Sequence, residues 1–124
     1  MQTKSHKDLI VWQRGIELVD EIYRATTGLP KEELYGLISQ MRRAAVSIPS
    51  NIAEGYKRKH LGEYTQFLGV ADGSAAELET QLIIIERQYP NAHTESAKKA
   101  LEEVQKMLYA MQYKLNTQNS RPKR

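Results

Sequence analysis

The chain has 124 residues, with 18 lysines and arginines against 15 aspartates and glutamates, for a formal charge of +3. That length allows one domain with a real core and leaves no room for a second. Cysteine is absent, which excludes disulfides and thiolate metal sites, and no apolar run approaches the ~18 residues needed to span a bilayer.

The polar opening, Met1 to Asp8, leads into only four consecutive apolar residues, Leu9 to Trp12. These are too few for the apolar region of a signal peptide, so a cytoplasmic protein without membrane association is expected. Charge is unevenly spread. Residues 1–30 balance, 31–62 carry +3, 63–93 carry −4 and 94–124 carry +4. Basic and acidic faces therefore exist separately, either pairing with each other or facing a charged partner.

The first predicted helix, about 8–27, carries Leu9, Trp12, Ile16, Val19 and Tyr23 at 3-4 spacing, which reads as its buried seam. Val11, Leu18 and Ile22 form a second stripe, interrupted by Gly15. Gly28-Leu29-Pro30 ends the segment, because proline cannot continue a helix that glycine has capped.

A second helix is predicted over 31–59, with Leu34, Ile38, Met41, Ala45, Ile48 and Ile52 as its seam. The seam keeps its phase through Pro49, although an interior proline costs ~3 kcal/mol. One helix kinked at Pro49, with packing that outweighs that cost, is the expectation. The third helix, about 62–89, is marked by Tyr64, Leu68, Ala71, Ala75, Leu78, Leu82, Ile85 and Tyr89. Thr94 supplies an N-cap for the fourth, about 94–116, with Glu95 in its first turn and Ala97, Leu101, Val104, Leu108, Met111 and Leu115 as its seam. Residues 117–124 form a basic tail. Four long helices joined by short loops predict an all-α, up-down-up-down antiparallel four-helix bundle spanning 1–124.

Two features exceed what such a bundle needs. The third helix gathers Gly69, Ala71, Gly73, Ser74, Ala75 and Ala76. Glycine costs ~1 kcal/mol in a helix interior, so close packing within the bundle is expected, against Trp12 or Tyr23, with a ligand pocket as the alternative. The second stripe of the first helix, the run Ile83-Ile84-Ile85, and Tyr109 with Tyr113 are surplus apolar surface. Self-association through Val11, Leu18, Ile22, Ile84, Tyr109 and Tyr113 is the expectation.

Arg42 and Arg43 lie just off the second seam and Lys57-Arg58-Lys59-His60 at its end. With the kink between them they are expected to form one basic edge. Lys98, Lys99, Lys106, Lys114 and the tail residues Arg121, Lys123 and Arg124 make a second basic region. Such groups contact phosphates and give strongly salt-dependent binding. For Lys57 to Lys59 the alternative is a solvated helix end whose cations complement the dipole. For Arg42 and Arg43, pairing with acidic groups of the third helix or a neighbouring subunit is equally open. Tyr56 and Tyr64 flank the basic run and have faces on which bases stack, though core placement suits both. No helix-turn-helix, zinc-ligand set, aromatic RNA platform or glycine-rich phosphate loop is present, so recognition by shape and charge is expected rather than base reading.

Catalysis has little support. The Glu-x-x-His pairs that hold a di-iron centre in a bundle are missing, His60 and Glu63 occur once in the reverse order, and the histidines at 6, 60 and 93 all lie at segment ends. No enzyme, cofactor or metal site is expected. Pro49, Asn51, Glu54 and Gly55 are read as a structural motif, with Asn51 and Glu54 satisfying backbone groups freed by the proline and Gly55 permitting close packing.

The sequence resembles the four-helix-bundle family of proteins encoded in intervening sequences of bacterial 23S ribosomal RNA genes. The likeness rests on Glu33-Leu34-Tyr35-Gly36-Leu37, Gln40-Met41-Arg42-Arg43-Ala44-Ala45, Ser47-Ile48-Pro49 and Asn51-Ile52-Ala53-Glu54-Gly55. Asp8-Leu9-Ile10-Val11-Trp12-Gln13 and Gly73-Ser74-Ala75-Ala76-Glu77-Leu78 also fit. It implies a bundle that assembles as a ring-shaped homopentamer, and it supplies no reaction. A related group, the accessory proteins of diversity-generating retroelements, is similar in architecture and binds nucleic acid and a reverse transcriptase. The combined expectation is a non-enzymatic oligomer that binds structured RNA or DNA through basic edges. The alternative is an adaptor docking an acidic partner such as a nucleic-acid enzyme.

Overall fold

Helices begin and end where the sequence changes its chemistry. The computed structural model describes residues 4–119, with α1 over Ile10–Thr27, α2 over Ser39–Tyr56, α3 over Leu61–Gln88 and α4 over Glu95–Asn119. Gly28 caps α1, and Thr94 precedes α4, its carbonyl accepting from the Lys98 amide at 2.9 Å. No strand occurs among the described residues, and no helix there is long and apolar enough to cross a membrane.

Contacts between helices fix their directions. Arg42 meets Thr26, and Pro49 packs over Gly15, so α2 runs antiparallel to α1. Ser47 meets Ser74 and Gly55 meets Phe67, reversing α3 against α2. Lys98 with Glu86 and Gln105 with Glu79 set α4 against α3, and Arg14 with Glu103 closes α4 onto α1. The result is the up-down-up-down bundle that the short connections require.

Its core is one continuous cluster. Met41, Ala45, Ile48 and Ile52 of α2, Leu68, Ala71, Ala75 and Leu78 of α3, and Val104 and Leu108 of α4 are all fully buried. Full burial of one large aliphatic side chain stabilises by ~1.5–3 kcal/mol. The expected seams of α2, α3 and α4 are thus the observed ones, except that Leu34 is 44% exposed.

On α1 both stripes reach the core, but the second one fills it: Leu9, Trp12 and Val19 of the expected seam pack against it only partly buried. Val11, Leu18 and Ile22 are enclosed in the chain's own core, whereas Ile16 and Tyr23 are 39% and 42% exposed. An outward interface through Val11, Leu18 and Ile22 is therefore ruled out. The reason is Gly15: a Cβ built there would lie 3.3 Å from the Pro49 Cβ, so the missing side chain marks where α2 comes closest.

The segment before α2 holds a second surprise. A 3-10 turn at Lys31–Glu33 runs into a wide π-type turn over Leu34–Ile38, where Gly36 leaves helical geometry at φ −110°, ψ −105°. The principal irregularity near α2 is this turn, while α2 continues through Pro49 as helix. The small residues of α3 divide as well. Ala71 and Ala75 are buried in the core, but Gly73 has open space around it and Gly69 faces only the end of Gln112. Neither glycine marks a tight helix contact.

Candidate nucleic-acid interface

Arg42 and Arg43 sit one turn into α2, and Lys57, Arg58 and Lys59 follow its end. From Arg43 to Lys57 the helix rises roughly 21 Å at ~1.5 Å per residue, and the exposed Val46 and Glu54 lie between them. The single basic edge expected from sequence is thus two patches at opposite ends of one helix.

Arg42 at the first patch is half-buried and fastened. Its Nε donates to Thr26 Oγ1 at 3.0 Å, and its guanidinium lies 4.3 Å from the centre of the Tyr23 ring. Thr26 is itself buried, its hydroxyl donating to the Ile22 carbonyl at 2.7 Å. Arg43 is exposed. Both arginines line a surface groove of about 580 Å³ with Tyr23, Leu34, Tyr35, Ile38, Ser39, Val46 and Ser47, and no carboxylate lines it. Pairing of Arg42 or Arg43 with the acids of α3 is not found among the described residues. Tyr35 on the groove's rim is 94% exposed.

The second patch is looser. Arg58 lies 4.8 Å from the centre of the Phe67 ring and 3.9 Å from Glu54, an exposed pair of little energetic weight. Lys57 and Lys59 are exposed and have no ion-pair partner among the described residues. The 3-10 turn His6–Asp8 packs against α2. Because α1 begins where α2 ends, this contact brings Lys4 and Lys7 to the same pole of the bundle, a grouping invisible in the linear sequence.

Tyr56 and Tyr64 are not free platforms. Their rings meet edge to face at 6.4 Å, and Tyr64 is half-buried against Gly55. Burial, then the Tyr56 phenol, raise the Tyr64 hydroxyl above its usual value. Gly55 performs its expected packing role, since a Cβ there would fall 2.8 Å from the Phe67 Cβ. Asn51 and Glu54 do not form a reciprocal pair. Asn51 donates to the Ser47 carbonyl at 2.7 Å and the Ser47 hydroxyl at 2.9 Å, and that hydroxyl meets Ser74 at 2.8 Å. Glu54 turns to Arg58 instead. The carbonyl freed by Pro49 belongs to Ala45, so the expected compensation by Asn51 is not what this side chain does.

The α4 lysines are partly engaged. Lys98 pairs with Glu86 at 3.1 Å, and Lys99 lies in a groove with Glu17, Asp20, Glu21 and Glu103. Arg14 crosses the same α1–α4 surface to Glu103 and Glu17, which hold its guanidinium charged. Arg121, Lys123 and Arg124 lie outside the described residues. Of the surplus apolar groups, Ile84, Tyr109 and Tyr113 do face outward, at 41%, 71% and 66% exposure.

Against this geometry, the family model described as 23S rRNA-intervening sequence protein matches residues 7–110. The chain belongs to that family. The match takes in α1, α2, α3 and most of α4, including the arginine groove and Lys57, Arg58 and Lys59, while Lys4 lies outside it. A search of curated proteins returned no match. Family membership establishes the bundle and assigns no reaction or partner to it.

Proposed function

We propose that this intervening-sequence protein is a non-enzymatic, self-associating bundle of the cytoplasm that binds structured RNA or DNA by shape and charge. The observation that carries this reading is the state of its cations. Arg43, Lys57 and Lys59 have no carboxylate partner among the described residues, and the groove holding Arg42 and Arg43 is lined by none. Cations left without internal partners suit an external polyanion.

Self-association draws support from the placement of exposed apolar groups. Ile84 of α3 and Tyr109 and Tyr113 of α4 stand outward, away from the arginine groove. Ile83 is also exposed, in a groove that Glu79, Glu86, Glu102 and Lys98 line. Exposed apolar groups on α3 and α4 suit head-to-tail contacts between copies, and head-to-tail contacts close into rings. A homopentamer is the ring implied by the family resemblance, and repeated weak contacts around it would act with avidity. Ile84, Tyr109 and Tyr113 are the candidates for contact between copies. A second reading is favoured by the groove's composition: tyrosine beside arginine is also typical of protein-binding hot spots, so an adaptor docking an acidic protein, such as a nucleic-acid enzyme, is the alternative.

The test is a salt-titrated binding assay on a structured RNA hairpin, comparing wild type with the triple variant Arg43→Glu, Lys57→Glu and Lys59→Glu. Arg42 and Arg58 are left intact because they pack on rings. Binding should be lost at ~0.15 M salt, and any residual salt slope should fall by about 2–3 per subunit. Unchanged affinity in the folded variant would remove these residues from the interface. Light scattering on the same samples gives the subunit number.

A further inference from the structure

The wide turn at Leu34–Ile38 sets Ile38 into the core while Tyr35 in the same turn faces outward. Tyr35 is the most exposed large hydrophobic side chain among the described residues at 94%, and it lines a groove with two arginines and no acid. Gly36 leaves helical geometry immediately after it, and turns of this wide type recur at functional sites.

We propose that this groove seats an unpaired nucleotide of a structured nucleic acid, its base stacked on Tyr35 and its phosphate held by Arg42 and Arg43. The proposal rests on the nucleic-acid reading above and deepens it, from charge alone to the recognition of loops and bulges. Arg42 carries the geometric argument. Its Nε is committed to Thr26 and one face to Tyr23, which fixes the plane of the guanidinium. Its terminal amino groups are then pre-oriented donors beside the groove, suited to the fork geometry of a phosphate. Arg43 adds a second cation on the same rim.

Tyr35 supplies what charge alone lacks. An exposed ring next to a guanidinium is the pairing by which proteins hold splayed bases, which offer a stacking face whatever their identity. The other rings suit this less well. Tyr56 and Tyr64 occupy each other, Trp12 is met edge-on by His6 at 5.3 Å, and Phe67 lies under Arg58. Tyr109 and Tyr113 are exposed on α4, but neither lines this groove.

The test compares two fluorescein-labelled RNAs with equal phosphate number, a hairpin with an eight-nucleotide unpaired loop and a blunt duplex, at one salt concentration. The wild-type protein should prefer the loop. Tyr35→Ala should weaken loop binding about tenfold and leave duplex binding unchanged, in line with the loss of one stacked base. Tyr35→Phe should keep wild-type affinity. Tyr35 is so exposed that its replacement leaves the fold intact, which melting curves check. Loop binding by Tyr35→Ala equal to wild type would overturn the proposal while the charge reading stands. A Tyr35→Ala protein with unchanged loop affinity but a changed mass by light scattering would overturn it in favour of a contact between subunits. Failure of the wild type to bind either RNA would sink both readings.

Discussion

The two ends of α2 use positive charge in opposite ways. At its start, Arg42 is part of the architecture, tied to Thr26 and Tyr23 of α1 and facing a groove. At its end, Gly55 is roofed by Phe67 and Tyr64, and Lys57 and Lys59 beyond it stand outside the packing. The comparison teaches that a cation's value depends on what fixes it. A guanidinium held by an aromatic face and a buried hydroxyl is oriented at rest, whereas a lysine in water contributes field without direction.

The contrast can be broken by substitution. The largest effect is expected at the closed end, where Gly55→Val puts a branched side chain into a contact already too short for a methyl and should cost ~3 kcal/mol by urea melt. A silent Gly55→Val would mean that this end is open rather than roofed. Next, Arg42→Gln loses both a hydrogen bond to a half-buried charged group and a ring contact, an expected ~2 kcal/mol. Arg58→Gln should cost less than ~1 kcal/mol, because its ion pair and ring contact are exposed. Equal losses for the two arginines would erase the distinction between the ends.

The smallest effect concerns the approach to α2. Tyr89 donates from its hydroxyl to Glu33 at 2.6 Å, and that bond, then burial, raise the Tyr89 hydroxyl above its ordinary value near 10. A group raised on folding contributes stability that is complete below its unfolded value and lost as pH climbs through the folded one. The melting-temperature advantage of wild type over Tyr89→Phe should therefore hold at pH 8 and shrink as the pH climbs beyond the ordinary phenol value near 10. A constant gap would disconnect Glu33 from the stability of this segment.

Most of the bundle was legible in the sequence because 3-4 spacing is a direct record of burial, as Met41 to Ile52, Leu68 to Ile85 and Ala97 to Leu108 illustrate. The error on α1 has a physical source. Both of its stripes are apolar, and bulky Trp12 and Tyr23 weigh toward the wrong one, since large amphipathic rings can cover a core from its edge. Gly15 was taken for an interruption when it was the point of contact. The turn at Gly36 left no periodic signal, and the clustering of Tyr35 with Arg42 depends on that turn. The placement of Lys4 and Lys7 at the same pole as Lys57 depends on antiparallel packing. Neither is a local property of the sequence.

The seating of Pro49 over Gly15 acts as a detent between two rods. With that notch engaged, α2 cannot slip along α1 by one turn, ~5.4 Å, without lifting a ring onto a neighbouring side chain such as Val11 or Leu18. The height at which Arg42 reaches Thr26 is set by a fit about two turns away from it, so a side chain at position 15 would misalign the guanidinium without touching it.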